Sequence, residues 1–327
     1  MTQFNPLSIA GVGLATALDA EGAPDATAAL AEILAGTPTK RRHPNFIGAD
    51  GIQQLCAPVM DCLNTRDLVD RTAHLARIAH ADLGGIARPG RTLLLLSALL
   101  GPGAPFVDKT HQMIQAGAFG VIPDEIYFGG AAEAAGLLVR MSEDIGAGRL
   151  QSAVLVCADT RIAPFVLDLM AAQNLAPVRA AKYQPLPGEA GIAIHVTAAN
   201  TTQPHVSDLL LSHEPADPTA PGRGLMGLSL GPALKSFGDL PPGTKVIADT
   251  DGPRHKAEEL GVVLGSVLSL EDEDLVVPSL SLGAVGCPTL LVFLVTAIEC
   301  VEGGAPVAIG WVSGLQGARY LFCVRAP

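Results

Sequence analysis

The sequence predicts an α/β fold that consists of two similar halves, one after the other along the chain. Runs of β-branched and aliphatic residues alternate with helix-like patterns, which indicates a largely buried sheet with helices between its strands. Similar segments recur at a constant spacing of 153 residues, as from Thr92 to Lys245. A glycine-rich turn precedes an apolar helix pattern in each copy. Together these three features favour two pseudo-repeated halves.

Four pairs of segments share this spacing. They are 92–97 with 245–250, 125–130 with 278–283, 136–139 with 289–292, and 153–156 with 306–309. Each copy therefore predicts a strand, a helix, a strand, a glycine turn, a helix and two further strands. Chance similarity between α/β segments is the alternative, and four matches in one register favour duplication.

Each copy also predicts an opening strand, and the last of its two further strands closes the copy. The opening strands are expected at 7–10 and 207–211, and the closing strands at 191–196 and 319–324. We expect one integrated domain with an N-terminal half at 1–200 and a C-terminal half at 201–327.

The segment 284–298, after the second glycine turn, is apolar on nearly every side. A helix at the surface of a domain carries only an apolar stripe. We therefore expect the helices of the two glycine turns to form a central layer, with a sheet on either side and further helices outside. This is a five-layered αβαβα arrangement.

The composition indicates a globular protein with a large core. Of 327 residues, 49% are hydrophobic and only 16% are charged, and the net charge is −11. The surplus of apolar residues favours a subunit interface, so a homodimer is expected. The negative charge, with no basic stripe evident, disfavours nucleic acid and anionic membrane as partners.

The sequence predicts a cytoplasmic protein. Its N-terminus, MTQFNPLSIAGVG, has no basic stretch followed by a long apolar run, so no secretory signal is predicted. The longest apolar run is 284–298, shorter than the roughly 18–20 residues of a membrane helix. The six cysteines lack metal-ligand spacing and mostly lie in apolar segments. Reduced thiols are expected, with no metal and no cofactor.

Four glycine-containing segments occur in a fixed order. They are Ile9-Ala-Gly-Val-Gly13, Pro187-Gly-Glu-Ala-Gly-Ile-Ala-Ile194, Ser281-Leu-Gly-Ala-Val-Gly286 and the segment 310–318. They resemble, respectively, the (I/V)TGxG start, the GEGA-type strand, the NIGHxxxAAG turn and the late GFGG segment of β-ketoacyl synthases. The chain thus resembles the ketosynthase branch of the thiolase-fold family. The resemblance implies a thiolase-like αβαβα fold, with shorter cap loops than the family usually has.

The resemblance also implies three catalytic positions. In the family, a cysteine at the start of the first central helix takes the acyl group, and two histidines from the second copy assist decarboxylation. Here the cysteine position falls at Gly129, Gly130 or Ala131, with Gly130 as the central choice, and the histidine positions fall at Asp249 and Ala284. No Cys, Ser, Thr or Lys occurs from 121 to 141, so a shifted alignment supplies no nucleophile. The sequence therefore predicts that the triad is absent.

Two residues keep an enzyme open as an alternative. Cys287 precedes Pro288 at an expected helix start, where the helix dipole favours a thiolate, although a small packed residue is the simpler interpretation. Asp249-Thr-Asp-Gly252 resembles the DxDG nucleophile motif of haloacid-dehalogenase phosphatases. Only 75 residues follow Gly252 in the 327-residue chain, which favours an ordinary strand-end turn.

The other polar segments predict structure. His74 and His80 lie on different faces of a predicted helix at 67–80, so they do not form a metal pair. We expect the acidic run 271–274 to be a solvated loop, with a Ca²⁺ contact or a basic partner as alternatives. We expect 215–223 to be an exposed linker. Ketosynthases place pocket and dimer elements in the segment that corresponds to 159–190, so the resemblance implies the same role here.

The sequence favours a non-catalytic ketosynthase-like protein, a homodimer retained for its surfaces. Its expected protein partner is an active ketosynthase or an acyl carrier protein. An accessory or chaperone protein of a bacterial secretion-system effector is one alternative. A remodelled acyltransferase or hydrolase that uses Cys287 or Asp249 is the other.

Overall fold

The computed structural model describes residues 4–19, 25–47, 51–84, 89–172, 186–215, 226–238, 240–266 and 274–327. The strands are β1 (Leu7–Ala15), β2 (Arg41–Ile47), β3 (Gln53–Cys56), β4 (Arg91–Ser97), β5 (Glu125–Gly129), β6 (Ser152–Thr160), β7 (Glu189–Ala198), β8 (His205–His213), β9 (Lys245–Ile247), β10 (Leu275–Val276), β11 (Val307–Ser313) and β12 (Ala318–Arg325). The α-helices are α1 (Ala26–Leu34), α2 (Leu68–Asp82), α3 (Val107–Gln115), α4 (Ala131–Gly146), α5 (Pro164–Ala172), α6 (Leu230–Lys235), α7 (Arg254–Ser266), α8 (Ser279–Leu282) and α9 (Thr289–Glu302).

A 10-stranded sheet organises the molecule, in the order β10-β9-β11-β12-β8-β1-β7-β6-β4-β5. From the centre outward, the N-terminal half contributes β1, β7, β6, β4 and β5, and the C-terminal half contributes β8, β12, β11, β9 and β10. Counted within this sheet, both halves have the order first, fifth, fourth, second, third, so the two halves share one topology. The halves meet where Leu7 of β1 pairs with Val206 of β8. The predicted duplication is confirmed, but the two expected sheets are hydrogen-bonded into one.

The five predicted layers are visible in the direction of alternate side chains. In β4, Leu95 faces the central core that contains α4 and α9, whereas Leu94 faces an outer core with α2. In β11, Val312 faces the same central core, and Trp311 faces a second outer core with α6 and α7. Each half of the sheet is therefore covered on both faces, as the αβαβα prediction requires.

The two central helices are not equally buried. The residues of α9 from Leu290 to Ile298 are all buried, in agreement with its continuous apolar sequence. In α4, Ala132, Glu133 and Gly136 are exposed, while Leu137 and Leu138 are buried. The expectation that both helices are fully covered is therefore wrong for α4, because the described part of the chain leaves one of its faces in solvent.

The repeat prediction is wrong at one strand. The segment 278–283 was expected to match β5, but it forms the short helix α8, and the equivalent strand is β10. Leu93 of β4 pairs with Glu125 of β5, and the equivalent Val246 of β9 pairs with Leu275 of β10. The constant spacing of 153 residues would instead place the partner of Val246 at position 278, so β10 comes earlier in the chain than the repeat predicts. The helix expected over 284–298 likewise begins only at Thr289, because Gly283 and Gly286 have positive φ angles of 66° and 77°.

Helix α2 confirms the helix expected at 67–80. The side chain of Asp67 caps it by accepting hydrogen bonds from the N–H groups of Val69 and Asp70. Its apolar residues, such as Leu75, belong to the outer core of the N-terminal half. The helix thus forms where a good N-cap precedes an apolar stripe.

Several predicted segments lie outside the described residues. They are 216–223 of the predicted linker, 271–273 of the acidic run and 173–185 of the long connection. Within that connection, α5 is described, and its Val166, Leu167 and Met170 are buried. Among the helices that the structure describes, none is both long enough and apolar enough to cross a bilayer.

Candidate functional site at the two glycine turns

Two of the three predicted catalytic positions follow the carboxyl ends of parallel strands, where α/β proteins bind ligands. Gly130 follows β5 as the N-cap of α4. Asp249 follows β9, and Ala284 lies in the turn that leads to α9. A hydrogen bond from Ser279 Oγ to the carbonyl of Thr250 (2.9 Å) connects the last two turns. Asp249 and Ala284 therefore lie on connected turns of the C-terminal half, and Gly130 begins the central helix of the other half.

Gly130 leaves open space at the start of α4. A Cβ built on Gly130 meets no atom within 4 Å, so a larger side chain fits there. Three residues later, the carboxylate of Glu133 folds back over Gly129. This acid lies in the first turn of α4, where it complements the positive end of the helix dipole. A carboxylate thus occupies the region whose positive potential would otherwise favour a thiolate.

Asp249 is buried and held by two partners. Its Oδ2 accepts a hydrogen bond from the N–H of Ser313 (2.7 Å), and its Oδ1 accepts one from Lys256 Nζ (2.8 Å). Lys256 also forms an ion pair with Asp251 (2.8 Å). Burial lowers the pKa of Lys256, but the two carboxylates outweigh it and hold that pKa above its usual value. Asp249 therefore joins β9, α7 and β11 as a structural anion.

Ala284 offers only its backbone to the site. Its N–H donates to the carbonyl of Leu186 (2.7 Å), and its carbonyl accepts from the N–H of Gly188 (3.1 Å). A Cβ on Gly188 would collide with the carbonyl of Leu282, so this close approach requires glycine. The glycine-rich start of β7 and the turn before α9 are thus joined by backbone bonds, and a methyl group stands at position 284.

Cys287 is buried in the same turn. Its N–H donates to Asp159 Oδ2 (3.1 Å), and its Sγ lies 3.3 Å from Cys157 Sγ. Gly286 permits this approach, because a Cβ there would collide with the carboxylate of Asp159. Burial raises the pKa of Cys287, with the thiol of Cys157 adding to the shift. The environment therefore disfavours the reactive thiolate that the sequence left open at Cys287.

Asp159 is the second buried carboxylate of the site. Burial raises its pKa, against the charge of Arg161 and the hydrogen bonds from Cys287 and Ser97. Like Asp249, it accepts a backbone N–H from another element, in this case the turn before α9. Both acids therefore hold turns in place, and both are committed to hydrogen bonds within the protein.

The structure adds a buried ion pair that the sequence did not predict. Arg71 of α2 donates from Nη2 to Glu189 Oε1 (2.7 Å) at the start of β7. Thr160 Oγ1 donates to Glu189 Oε2 (2.8 Å), and the N–H of Val59 donates to Oε1 (2.8 Å). The available signal was a charged residue on the apolar face of the 67–80 helix, because such a residue needs a buried partner.

The predicted metal and cysteine assignments can be compared with the described residues. Within the described ranges, no three or more His, Cys, Asp or Glu side chains cluster as a metal site. His74 lies beside Arg77, with Nδ1 2.7 Å from its Nη2. All six cysteines are buried as free thiols.

Comparisons with known proteins give structural matches alone. No protein-family model matches the sequence, and no curated protein matches it significantly. The ishigamide ketosynthase/chain length factor has a TM-score of 0.68 at 15% identity, over 98% of this chain and 99% of that chain. A type II polyketide synthase acyl-carrier protein in complex with its ketosynthase (AntDE:AntF) has a TM-score of 0.68 at 13% identity, over 99% and 100%. A β-ketoacyl synthase from Burkholderia phymatum has a TM-score of 0.65 at 13% identity, over 99% and 100%.

These matches confirm the thiolase-like ketosynthase fold that the motifs predicted, along nearly the full length of the chain. At identities of 15% or less they show the fold alone. The chemistry of this chain must therefore be argued from its own residues.

Proposed function

We propose that this protein is a non-catalytic ketosynthase-like subunit that acts through protein partners. One observation carries the proposal: the positions that correspond to the thiol and the two imidazoles of the family hold Gly130, Asp249 and Ala284. Hydrogen and methyl groups neither attack an acyl group nor transfer a proton. Asp249 already has Lys256 and the N–H of Ser313 as partners.

The alternative nucleophiles receive no support from their surroundings. An acyl-transferring cysteine needs a lowered pKa and access to substrate, whereas Cys287 is buried and its pKa is raised. An Asp249 nucleophile would have to leave a buried ion pair before it could attack. A structural subunit is therefore the function that this arrangement supports best.

The proposed partner surface is the outer edge of the N-terminal half. Strand β5 is an edge strand, and its Ile126 is 37% exposed. Ile122, just before it, is 87% exposed. The open face of α4 follows directly, with Gly136 exposed. An edge strand with exposed apolar side chains favours pairing with another chain, and we propose a homodimer or a ketosynthase heterodimer at this surface.

The matched structures are consistent with protein partners. They include ketosynthase/chain length factor proteins and an acyl-carrier protein in complex with its ketosynthase. For this chain, we propose the same kind of association in the cytoplasm, where six buried free thiols are stable.

The experiment combines an activity assay with a measurement of mass. The purified protein should neither decarboxylate malonyl-acyl carrier protein nor condense it with an acyl thioester. In light scattering it should be a dimer, alone or with a co-expressed ketosynthase. The variant Ile126→Asp should weaken that dimer at least about tenfold, because a buried charge lacks a partner.

Leu228→Asp is the matched control, since Leu228 is 56% exposed just before α6, which packs in the outer core of the C-terminal half. Turnover by the wild type above the level of a heat-treated sample would refute the non-catalytic assignment. A monomer at all concentrations, with no ketosynthase bound, would refute the partner assignment.

A further inference from the structure

The hairpin β2–β3 forms a small sheet that is fixed to the body of the protein by its inner side. His43 is buried, and its Nε2 lies 3.0 Å from the carbonyl of Ile162. The N–H of Ala57, just after β3, donates to the carbonyl of Pro187 (2.9 Å). Arg66 Nη2 donates to Asn45 Oδ1 (2.9 Å) from the adjacent segment. The hairpin is therefore attached at several points, and its outer side is exposed in the part of the chain that the structure describes.

The outer side carries exposed apolar and basic residues together. Along β3 the burial alternates, with Leu55 exposed and Gln54 and Cys56 buried. Leu55 pairs with the exposed Arg42 of β2, and Gln53 pairs with Ile47. Ile47 is 64% exposed and Leu55 is 47% exposed. We call the exposed set on this side the hairpin face, which consists of Lys40, Arg42, Ile47 and Leu55. Arg41 is also exposed, but it pairs with the buried Cys56 and lies on the other side of the strand.

The charge of this face is opposite to that of the whole molecule. The chain has a net charge of −11, yet Lys40, Arg41 and Arg42 are consecutive and exposed. No Asp or Glu occurs among the described hairpin residues 40–47 and 51–56. In the part of the chain that the structure describes, none of these three cations has a carboxylate within ion-pair distance.

We propose that the hairpin face docks an acidic, amphipathic segment of a partner protein. Such a segment would place carboxylates against Lys40 and Arg42 and apolar side chains against Ile47 and Leu55. Charge complementarity selects and steers this partner, and the apolar contact supplies the burial. The surface is separate from the edge strand β5, so this inference goes beyond the proposed subunit pairing and does not depend on it.

A protein segment fits this face better than the two other common polyanions. DNA and anionic membranes extend over distances at which the net charge of −11 repels them. A short segment instead contacts the basic face within about one Debye length, roughly 8 Å at physiological salt. The two exposed aliphatic side chains also match an amphipathic protein surface rather than a phosphate backbone.

The test uses the full chain and synthetic probes. A fluorescein-labelled amphipathic helical peptide with glutamate on one face and leucine on the other is titrated by fluorescence anisotropy. A matched peptide has lysine in place of glutamate. We expect saturable binding of the acidic peptide, weakened by salt, and no binding of the basic one. Arg42→Glu should weaken binding about fivefold or more, and Leu55→Ser should also weaken it.

Arg254→Glu is the charge-matched control, because Arg254 is exposed on α7, far along the chain from the hairpin. It should leave binding unchanged, and each variant must retain the wild-type melting temperature to be counted. Equal binding of the two peptides, or equal losses in R42E and R254E, would overturn the proposal. Preference for a DNA oligonucleotide or phosphatidylglycerol vesicles would overturn it as well. Self-association lost in R42E would also overturn it, because the occupant would then be a second copy.

The dimer test at β5 has an independent readout. A dimer that persists in R42E, with no peptide binding by the wild type, would reject the hairpin inference and leave the proposed function in place. Peptide binding by a protein that is monomeric would support the hairpin inference and reject the proposed dimer.

Discussion

At the scale of single residues, the two buried aspartates of the site accept hydrogen bonds that fix neighbouring turns. Asp249 and Asp159 occupy positions at strand ends where an α/β enzyme places catalytic groups, yet each accepts a backbone N–H from a neighbouring element. Their negative charge is thus used to fix turns. The sequence placed Asp249 correctly at a strand end, but it did not reveal Lys256 as its partner.

We expect Lys256→Met to lower the free energy of unfolding by about 3–5 kcal/mol, because it leaves Asp249 as a buried, unpaired charge. The double variant with Asp249→Asn should recover part of that loss. Arg254→Ala, on the same helix, should cost less than about 1 kcal/mol, since its ion pair with Glu258 is exposed. Urea denaturation measures all three. Equal losses at Lys256 and Arg254 would contradict the assignment.

A second residue-scale prediction concerns the open position at Gly130. The six native thiols are buried, so wild-type protein should not react with iodoacetamide at pH 7. Gly130→Cys should be labelled at one site, because its side chain has open space. Adding Glu133→Gln should increase the rate about two- to fivefold, since removing that charge lowers the pKa of the new thiol. A slower rate in the double variant would contradict this view of Glu133.

A third prediction is the pH dependence set by Asp19. Burial raises its pKa to about 7, and repulsion from Asp82 and Asp61 adds to the effect against hydrogen bonds from Thr16. An unfolded aspartate has a pKa of about 3.9, so the folded state binds more protons between these values. Stability should therefore fall as pH rises from about 4 to 7, by at most about 1.4 kcal/mol per unit. Asp19→Asn should flatten this slope in denaturation curves, and an unchanged slope would exclude Asp19 as its source.

At the scale of elements, the two glycine-led helices show where sequence pattern succeeds and where it stops. The apolar run of α9 predicted a helix buried on all sides, and its side chains from Leu290 to Ile298 are buried. The pattern of α4 contains Glu133 and Arg140, and that helix is open on one face. An apolar pattern therefore predicted burial correctly, whereas equivalence by repeat did not.

We expect Leu291→Ala to lower the free energy of unfolding by about 2–5 kcal/mol, because Leu291 is fully buried in the central core. Val139→Ala, in the half-buried part of α4, should cost less than about 1 kcal/mol. Thermal and urea unfolding measure both variants. A small loss at Leu291 would mean that α9 is not the centre of the fold.

At the scale of the whole molecule, the two halves place buried ion pairs at equivalent positions but build them from different residue types. Glu189 pairs in register with Thr160 at the start of β7, and Arg319 pairs with Ser313 at the equivalent place in β12. Each forms a buried ion pair with a helix of an outer layer, Glu189 with Arg71 and Arg319 with Glu259. The charges are reversed between the halves, so the shared requirement is a satisfied buried pair, and a sequence repeat cannot reveal it.

The sequence by itself determined the α/β class, the duplicated order of strands, the burial of α9 and the identities at positions 130, 249 and 284. These follow from local periodicity and from residue type, which the chain carries without folding. Tertiary structure alone decided that the halves join at Leu7 and Val206, that Asp249 meets Lys256, and that an open basic and apolar face lies on the β2–β3 hairpin. Each of these depends on the register and packing of segments far apart in the chain, which local pattern does not encode.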